Sequence, residues 1–354
     1  MATNFLFKPS RSFIPELKHA FEEKVRFGYG RTHLRNTLAC QQIIDKLNLK
    51  SNFKPGQFDI VDANPGYGLF SSMLNYELQP RNHILIENKE RCCIAWKKII
   101  DHLDSLGYNH NLKLYEKDPY EWQTYTDLIQ KDNLINPVKK SFDKLNDELL
   151  IIANWSGDKD ESTIAQWIGC CGDRNWLMKY GKVKMIIFMP LPTARKFVAL
   201  AGYKKRKRTG LKVDMFTESK LIAFSDVNIP CGNEFDPRVL VRDQPIPIEK
   251  QSSIRNDEFA VVEFSPGKLT SEMISNVDHL LSPIFLGHKT LRESIPIFAP
   301  GAEYMYKFLP DSTLNKTPYE LEPKDILLLS EAYEKWPFKP TVEELYDIDL
   351  TSPA

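Results

Sequence analysis

Four stretches of this 354-residue sequence end in residue types that can act together on one ligand. The stretch DIVDANPGYGLFSS (59–72) sets out in order an apolar run, the acid Asp62, a glycine-rich turn and a helix start. Gly66 and Gly68 allow the backbone to come close to a ligand, and a helix N-terminus favours a carboxylate. Glu87 closes the next apolar run about 20 residues later, the place from which an acid accepts both hydroxyls of a ribose. Asp118, in YEKDPYEW (115–122), follows a third run and can accept from an adenine amino group. Asn154 follows a fourth, in ELLIIANWSGD (148–158), and ligands of open α/β sheets sit beyond such strand ends. A glycine-rich turn alone is as well explained by local structure. Acids and glycines at successive strand ends together describe a pocket of S-adenosylmethionine type, working or vestigial.

These side chains need a sheet to bring them together, and the chain supplies its rhythm. QFDIVDA (57–63), HILIE (83–87), LKLY (112–115), LLIIA (149–153) and VKMIIFM (183–189) are short apolar runs separated by helix-length segments. That is the βαβ pattern of a mostly parallel, doubly wound sheet. KLIAFSDV (220–227) and FAVVEF (259–264) add two candidate edge strands, the closing pair of a class I methyltransferase. Leu34, Leu38, Ile43, Ile44 and Leu47 suit an amphipathic helix from about Arg31 to Leu49. Past Pro266 the periodicity turns helical, after a Pro-rich connector at 237–247. The expected organisation is an N-terminal arm (1–30), a Rossmann-like α/β domain (31–266), an all-helical lobe (267–340) and an acidic tail (341–354). The arm, basic and acid-poor, reads either as an organellar targeting segment or as a short ordered extension.

Composition narrows the partners. Lys plus Arg and Asp plus Glu number 47 each, so a nucleic-acid surface has to be a local patch balanced by acid elsewhere. No window approaches the roughly 20 apolar residues of a membrane span. The cysteines at 40, 92, 93, 170, 171 and 231 lack zinc-ligand spacing, so reduced thiols and no metal are expected.

The sharpest charge feature is AGYKKRKRTGLK (201–212), where Lys204, Lys205, Arg206, Lys207 and Arg208 stand between two glycines. Five adjacent cations in an exposed loop attract phosphate with steep salt dependence, giving affinity and register rather than sequence reading. Tyr120 and Trp122, just after Asp118, and Trp155, beside Asn154, are candidates to stack on an extruded base.

The order Leu34, DANPGYG, Glu87, Asp118, Asn154 resembles the rRNA adenine dimethyltransferases of the KsgA type, as do MPLPTARKFVA (189–199) and the helical C-terminal lobe. Within that family, KLYEKDPYEWQTY, GKVKMIIFMPLPTARK, FTESKLIAFSDVN and KWPFKP resemble the fungal branch that serves mitochondrial transcription initiation. The resemblance spans roughly residues 25–340. It implies a class I methyltransferase fold carrying an S-adenosylmethionine pocket at Leu34, Asp62, Gly66, Gly68, Glu87, Asp118 and Asn154, retained in part and not required. It further implies a monomeric initiation factor in the mitochondrial matrix that binds the single-subunit mitochondrial RNA polymerase and helps melt promoter DNA. The acidic tail is expected near the template in the polymerase cleft.

Departures from the family separate this reading from its alternative, an active rRNA adenine N6-dimethyltransferase. Asn64 stands where the glycine turn has its first glycine, and its bulk crowds the donor's amino acid moiety. Active enzymes follow the Asn with an apolar residue, Pro and an aromatic; here Trp155, Ser156 and Gly157 follow. Gly157 offers no face to a flipped base and Ser156 does not fix the turn as Pro does. Catalytic residues are therefore not assigned, and the sequence favours a factor over an enzyme.

Overall fold

The computed structural model describes residues 7–22, 28–225, 235–254, 258–274 and 277–340. The acidic tail expected at 341–354 lies outside these residues.

Eight strands form one sheet: β1 (Asp59–Ala63), β2 (Asn82–Ile86), β3 (Leu112–Tyr115), β4 (Leu145–Asn154), β5 (Lys182–Pro190), β6 (Thr217–Ser225), β7 (Ile246–Ile248) and β8 (Phe259–Pro266). Their order is β3-β2-β1-β4-β5-β8-β6-β7. The first five are parallel, and β8 runs antiparallel to both β5 and β6. All five residues of β1 are buried, as are the inner seven of β5, because helices cover both faces. This is the α/β architecture of a class I methyltransferase. Strand order reverses between β1 and β4, so the crevice beyond their carboxyl ends is where such a sheet binds ligands.

Two local expectations change. The helix expected from Arg31 begins at Thr37, because Asn36 caps it: the Asn36 side-chain oxygen accepts from the amides of Leu38 and Ala39. Residues before that cap run extended instead, with the Arg35 amide donating to Ser252 O at 2.8 Å and the Ile254 amide to His33 O at 2.9 Å. The Pro-rich connector at 237–247 is also ordered. It holds a helix, Pro237–Asp243, capped by the Asp236 carboxylate, and then leads into β7. Pro247 is tolerated in β7 because that strand is the sheet's edge, where a missing N–H costs no ladder bond.

After β8 come the helices Val277–Ile284, Leu291–Ser294, Asp311–Leu314 and Pro323–Glu334, joined by 3-10 turns. Leu280, Leu281, Ile326, Leu329 and Trp336 share one continuous apolar core with Met185, Phe216 and Phe264 of the sheet side. The helical part therefore has no core of its own among the described residues. The opposite sheet face packs Ile43, Leu47, Met73 and Phe58 on Ile186 and Ile222.

At the other end of the chain, Phe13, Ile14 and Leu17 are buried, and Arg11 fastens their segment by pairing with Glu77 at 2.9 Å and Asp45 at 2.7 Å. Ser12 Oγ donates to Glu77 at 2.5 Å, and Lys50 pairs with it at 2.7 Å. Burial raises the Glu77 carboxyl, but Arg11, Lys50 and Ser12 outweigh it and hold it at about 2. A carboxylate depressed in the folded state adds stability above its ordinary value of 4.5, and that stability drains away as pH falls toward about 2. Glu77→Gln is expected to cost about 1–2 kcal/mol at neutral pH. It should also flatten the acid limb of a melting-temperature-against-pH curve, which thermal denaturation of both proteins measures.

Candidate functional site

The cleft at the switch point is built from the residues the sequence singled out, but their polar groups are already bonded within the chain. Glu87, fully buried, is enclosed by backbone amides: Gly66 donates to it at 3.2 Å, Asn88 and Lys89 at 3.0 Å each. Burial pushes its carboxyl up, against the pull of those amides and of the nearby Arg31 guanidinium. Asp62 is bonded to the buried His83 at 3.2 Å. Asp118 turns back on its own chain, accepting from the Tyr120 amide at 3.0 Å. Asn154 donates to Thr32 O at 2.8 Å, while its oxygen accepts from Ser156 Oγ at 2.6 Å.

The filling comes from the segment ahead of Asn36. His33 is buried, and its Nε2 donates to Gly28 O at 3.0 Å. A Cβ on Gly66 would lie 2.2 Å from the His33 ring, and one on Gly68 would lie 2.5 Å from Trp96. Both glycines have positive φ, so the turn is shaped for glycine, but side chains of this protein occupy the space beside it. Asn64 takes the left-handed φ of 57° that Asn tolerates, and neither atom of its buried amide finds a partner within the chain. Leu34 makes an isolated bridge to Ser253 at the wall. What remains, lined by Leu34, Asp62, Phe70, Asn154 and Phe188 among others, is a cavity of about 30 Å³. That is room for roughly one or two waters. Among the described residues no group of His, Cys, Asp and Glu is placed to hold a metal, and no helix is long and apolar enough to cross a membrane.

Next to the cleft the aromatic candidates divide. Trp155 is fully buried, so it presents no face to a base; the expectation of stacking there is corrected by its position under Tyr120. Tyr120 and Trp122 remain 43% and 41% exposed, enough to offer a ring face. They are the two ends of one aromatic chain. Tyr120 leans on Trp155 at 4.7 Å, Trp155 meets Trp167 at 5.4 Å, Trp167 meets Trp176 at 4.5 Å, and Trp176 meets Trp122 at 5.4 Å. Polar groups set the Tyr120 hydroxyl: it donates to Asp160 at 2.5 Å and accepts from buried Arg31 at 3.1 Å. Asp160 also accepts from the Gly157 amide at 2.9 Å, and a Cβ on Gly157 would lie 2.8 Å from that carboxylate. A side chain at this position would therefore press on the carboxylate that the Tyr120 hydroxyl and the Gly157 amide share. Arg31, His33, Asp160, Trp167 and Trp176 were not singled out from the sequence. The one sequence signal pointing to the first two is their place directly before Leu34.

The basic loop divides in the same manner. Lys204, Lys205, Lys207 and Arg208 are exposed. Arg206 is buried: Nη1 donates to Leu321 O and Nη2 to Asp214, so its expected phosphate contact is corrected to an internal one.

Comparison with known proteins agrees with this architecture. The family model for ribosomal RNA adenine dimethylase matches residues 22–336. Mitochondrial transcription factor 1 of Saccharomyces cerevisiae is 30% identical over 339 residues, covering 93% of this chain and 95% of that one. Its namesake from Lachancea kluyveri is 28% identical over 334 residues, with the same coverage of 93% and 95%. Among solved structures, a dimethyladenosine transferase from Plasmodium falciparum shares the fold with a TM-score of 0.54 at 18% identity, over 83% of this chain and 95% of that one. With the family model matched over residues 22–336, this chain belongs to the ribosomal RNA adenine dimethylase family.

Proposed function

We propose that this chain is a mitochondrial transcription initiation factor that works with the mitochondrial RNA polymerase and helps open promoter DNA, using a methyltransferase scaffold without methyl transfer. The observation that carries the reading is the aromatic chain ending in exposed Tyr120 and Trp122, with the former amine-aligning motif folded beneath it. The names of its relatives, mitochondrial transcription factor 1, support the process and the compartment. Residence in the mitochondrial matrix as a monomer completes the proposal.

Melting a duplex costs on the order of 1.4 kcal/mol per base-pair step. Stacking a freed base on an aromatic ring returns about 1–3 kcal/mol. Two held rings together with a cationic loop therefore match in size the opening of a short bubble, with the loop holding backbone and the rings holding bases. The acidic residues Glu343, Glu344, Asp347 and Asp349 oppose simple DNA binding, and we assign that tail to the polymerase side.

The cofactor implied by the family does not fit these residues. The Glu87 carboxylate is enclosed by three amides and the Asn154 amide is bonded to Thr32 and Ser156. His33 stands against Gly66, in the space beside the glycine turn. A base amine also has no acceptor at Asn154 and no stacking ring at Gly157. Methyl transfer is accordingly absent from the mechanism.

Three measurements test these statements. Replacing Tyr120 and Trp122 together by Ala should lower runoff transcription from a duplex promoter by about tenfold or more, one stacked base being worth 1–3 kcal/mol. A pre-melted template should be largely spared; equal loss on both templates would count against base capture. Incubation of the purified chain with labelled methyl donor and rRNA hairpin should leave the RNA unlabelled. The third measurement concerns the filled cleft. Burial lowers His33 to about 4, against a weak opposing bond to Gly28. Its neutral form is thus favoured by folding, and stability falls as pH drops from its ordinary 6.5 toward about 4. Protection factors at residues 28–36, with the slower intrinsic exchange at low pH divided out, should fall over that window in the native protein, and the His33→Leu variant should lose the effect.

A further inference from the structure

One cation in the basic loop behaves unlike its neighbours. Arg206 has its side chain inside the protein, while Lys204, Lys205, Lys207 and Arg208 on either side are exposed. Its guanidinium joins three parts of the chain: the loop it belongs to, Asp214 on the helix Arg208–Phe216, and Leu321 O just before the helix Pro323–Glu334. Flanking bonds run parallel to it. The Gly202 amide donates to Tyr319 O at 2.7 Å, Arg208 Nη1 donates to Ser282 Oγ at 3.0 Å, and Lys212 pairs with Asp278 at 2.5 Å. The helix start is held from the other side as well, since a Cβ on Gly210 would lie 2.5 Å from Lys196 O. The glycines flanking this loop suggested freedom; the bonds describe a turn tied to the C-terminal helices at both ends and through its middle.

We propose that Arg206 is the positioning residue of a rigid cationic platform, and that it fixes Lys204, Lys205, Lys207 and Arg208 in a geometry that grips nucleic-acid backbone across both halves of the protein. This rests on reading the loop as a nucleic-acid contact. A buried guanidinium suits the role because its planar fork reaches two acceptors at once, which an ammonium does not. Flexible lysines on a free loop would lose side-chain and backbone freedom on meeting phosphate; a loop already ordered by its anchor loses less and binds more tightly. Removing the anchor leaves every exposed cation in place, so the effect on binding comes from geometry and not from surface charge.

The test uses the full chain and a labelled DNA duplex with a short unpaired bubble, measuring the dissociation constant over a range of salt concentration. Each phosphate contact adds about 0.9 to the slope of log K against log salt. The triple variant Lys204→Gln, Lys205→Gln, Lys207→Gln should lower the slope by about 2 to 3 without lowering the melting temperature. Arg206→Met should lower the slope by at least about 1 at a temperature where the fold is intact, and have a smaller effect in the triple variant, where only Arg208 is left to position. Arg206→Lys should recover only part of the slope. Because Arg206→Met risks the fold, Asp214→Asn serves beside it: it keeps the shape, loosens the guanidinium and should give an intermediate slope. A wild-type slope in both Arg206→Met and Asp214→Asn overturns the anchor while leaving the loop contact standing. So does an undiminished Arg206→Met effect in the triple background. A wild-type slope in the triple variant overturns the loop contact itself, and the anchor with it.

Discussion

The hydrogen bond from the Asn154 amide to Thr32 O closes this molecule's ligand crevice. It brings the extended segment ahead of the first long helix down across the carboxyl ends of β1 and β4. Once Thr32 is there, His33 lands against Gly66 and Arg31 lands between Asp160 and Tyr120. Ser156 completes the arrangement, since its hydroxyl accepts from the Thr32 amide at 2.7 Å and donates to Asn154. Proline at that position would offer no hydroxyl and no such closure. The loss of a Pro-aromatic turn is therefore more than a missing catalytic part: Ser156 and Gly157 make new contacts that depend on their being Ser and Gly.

Those contacts explain why the exposed rings stay where they are. An aromatic side chain at a surface gains little from ordering itself, whereas one whose ring rests on a buried tryptophan and whose hydroxyl is bonded twice has few other positions to visit. Burying Trp155 thus serves Tyr120, and the Trp167–Trp176 contact does the same for Trp122. A platform ordered before it meets a base loses less freedom on capture, the same economy that Arg206 brings to the cationic loop.

Much of this was legible in the sequence, and the failures have particular causes. Apolar runs flanked by turns marked seven strands, because strands buried on both faces must be apolar throughout. β7 escaped notice since three residues around a proline carry no period at all. The helix start was misplaced because Leu34 fits the helical spacing, and only the cap at Asn36 shows that Leu34 lies outside it. Trp155 and Arg206 were read by residue type, the one as a stacking ring and the other as a phosphate ligand. Sequence spacing does not say which member of an exposed cluster turns inward; that is decided by long-range partners such as Leu321 O, 115 residues away. Arg31 and His33 meet Asp160 from a segment more than 120 residues away in sequence, so no local pattern announces the arrangement.

The filled crevice also has a thermodynamic logic. A protein that binds a small molecule is stabilised by RT ln(1 + [L]/Kd), and its empty state lacks that contribution. A scaffold that works without the small molecule has to replace the missing contacts from within or carry an open, polar, weakly packed cleft through its working life. Here a histidine ring and Trp96 stand beside the turn, three backbone amides serve the acid, and the Asn is satisfied on both sides. Asn64 is the exception, with its amide still unmatched at the position where the turn otherwise has its first glycine. The substitution of internal contacts for a ligand's is therefore nearly complete, and it leaves the surface above the crevice as a fixed one. A fixed surface suits the base capture proposed above, because a lid that opened for a cofactor would carry Arg31 away from the hydroxyl of Tyr120.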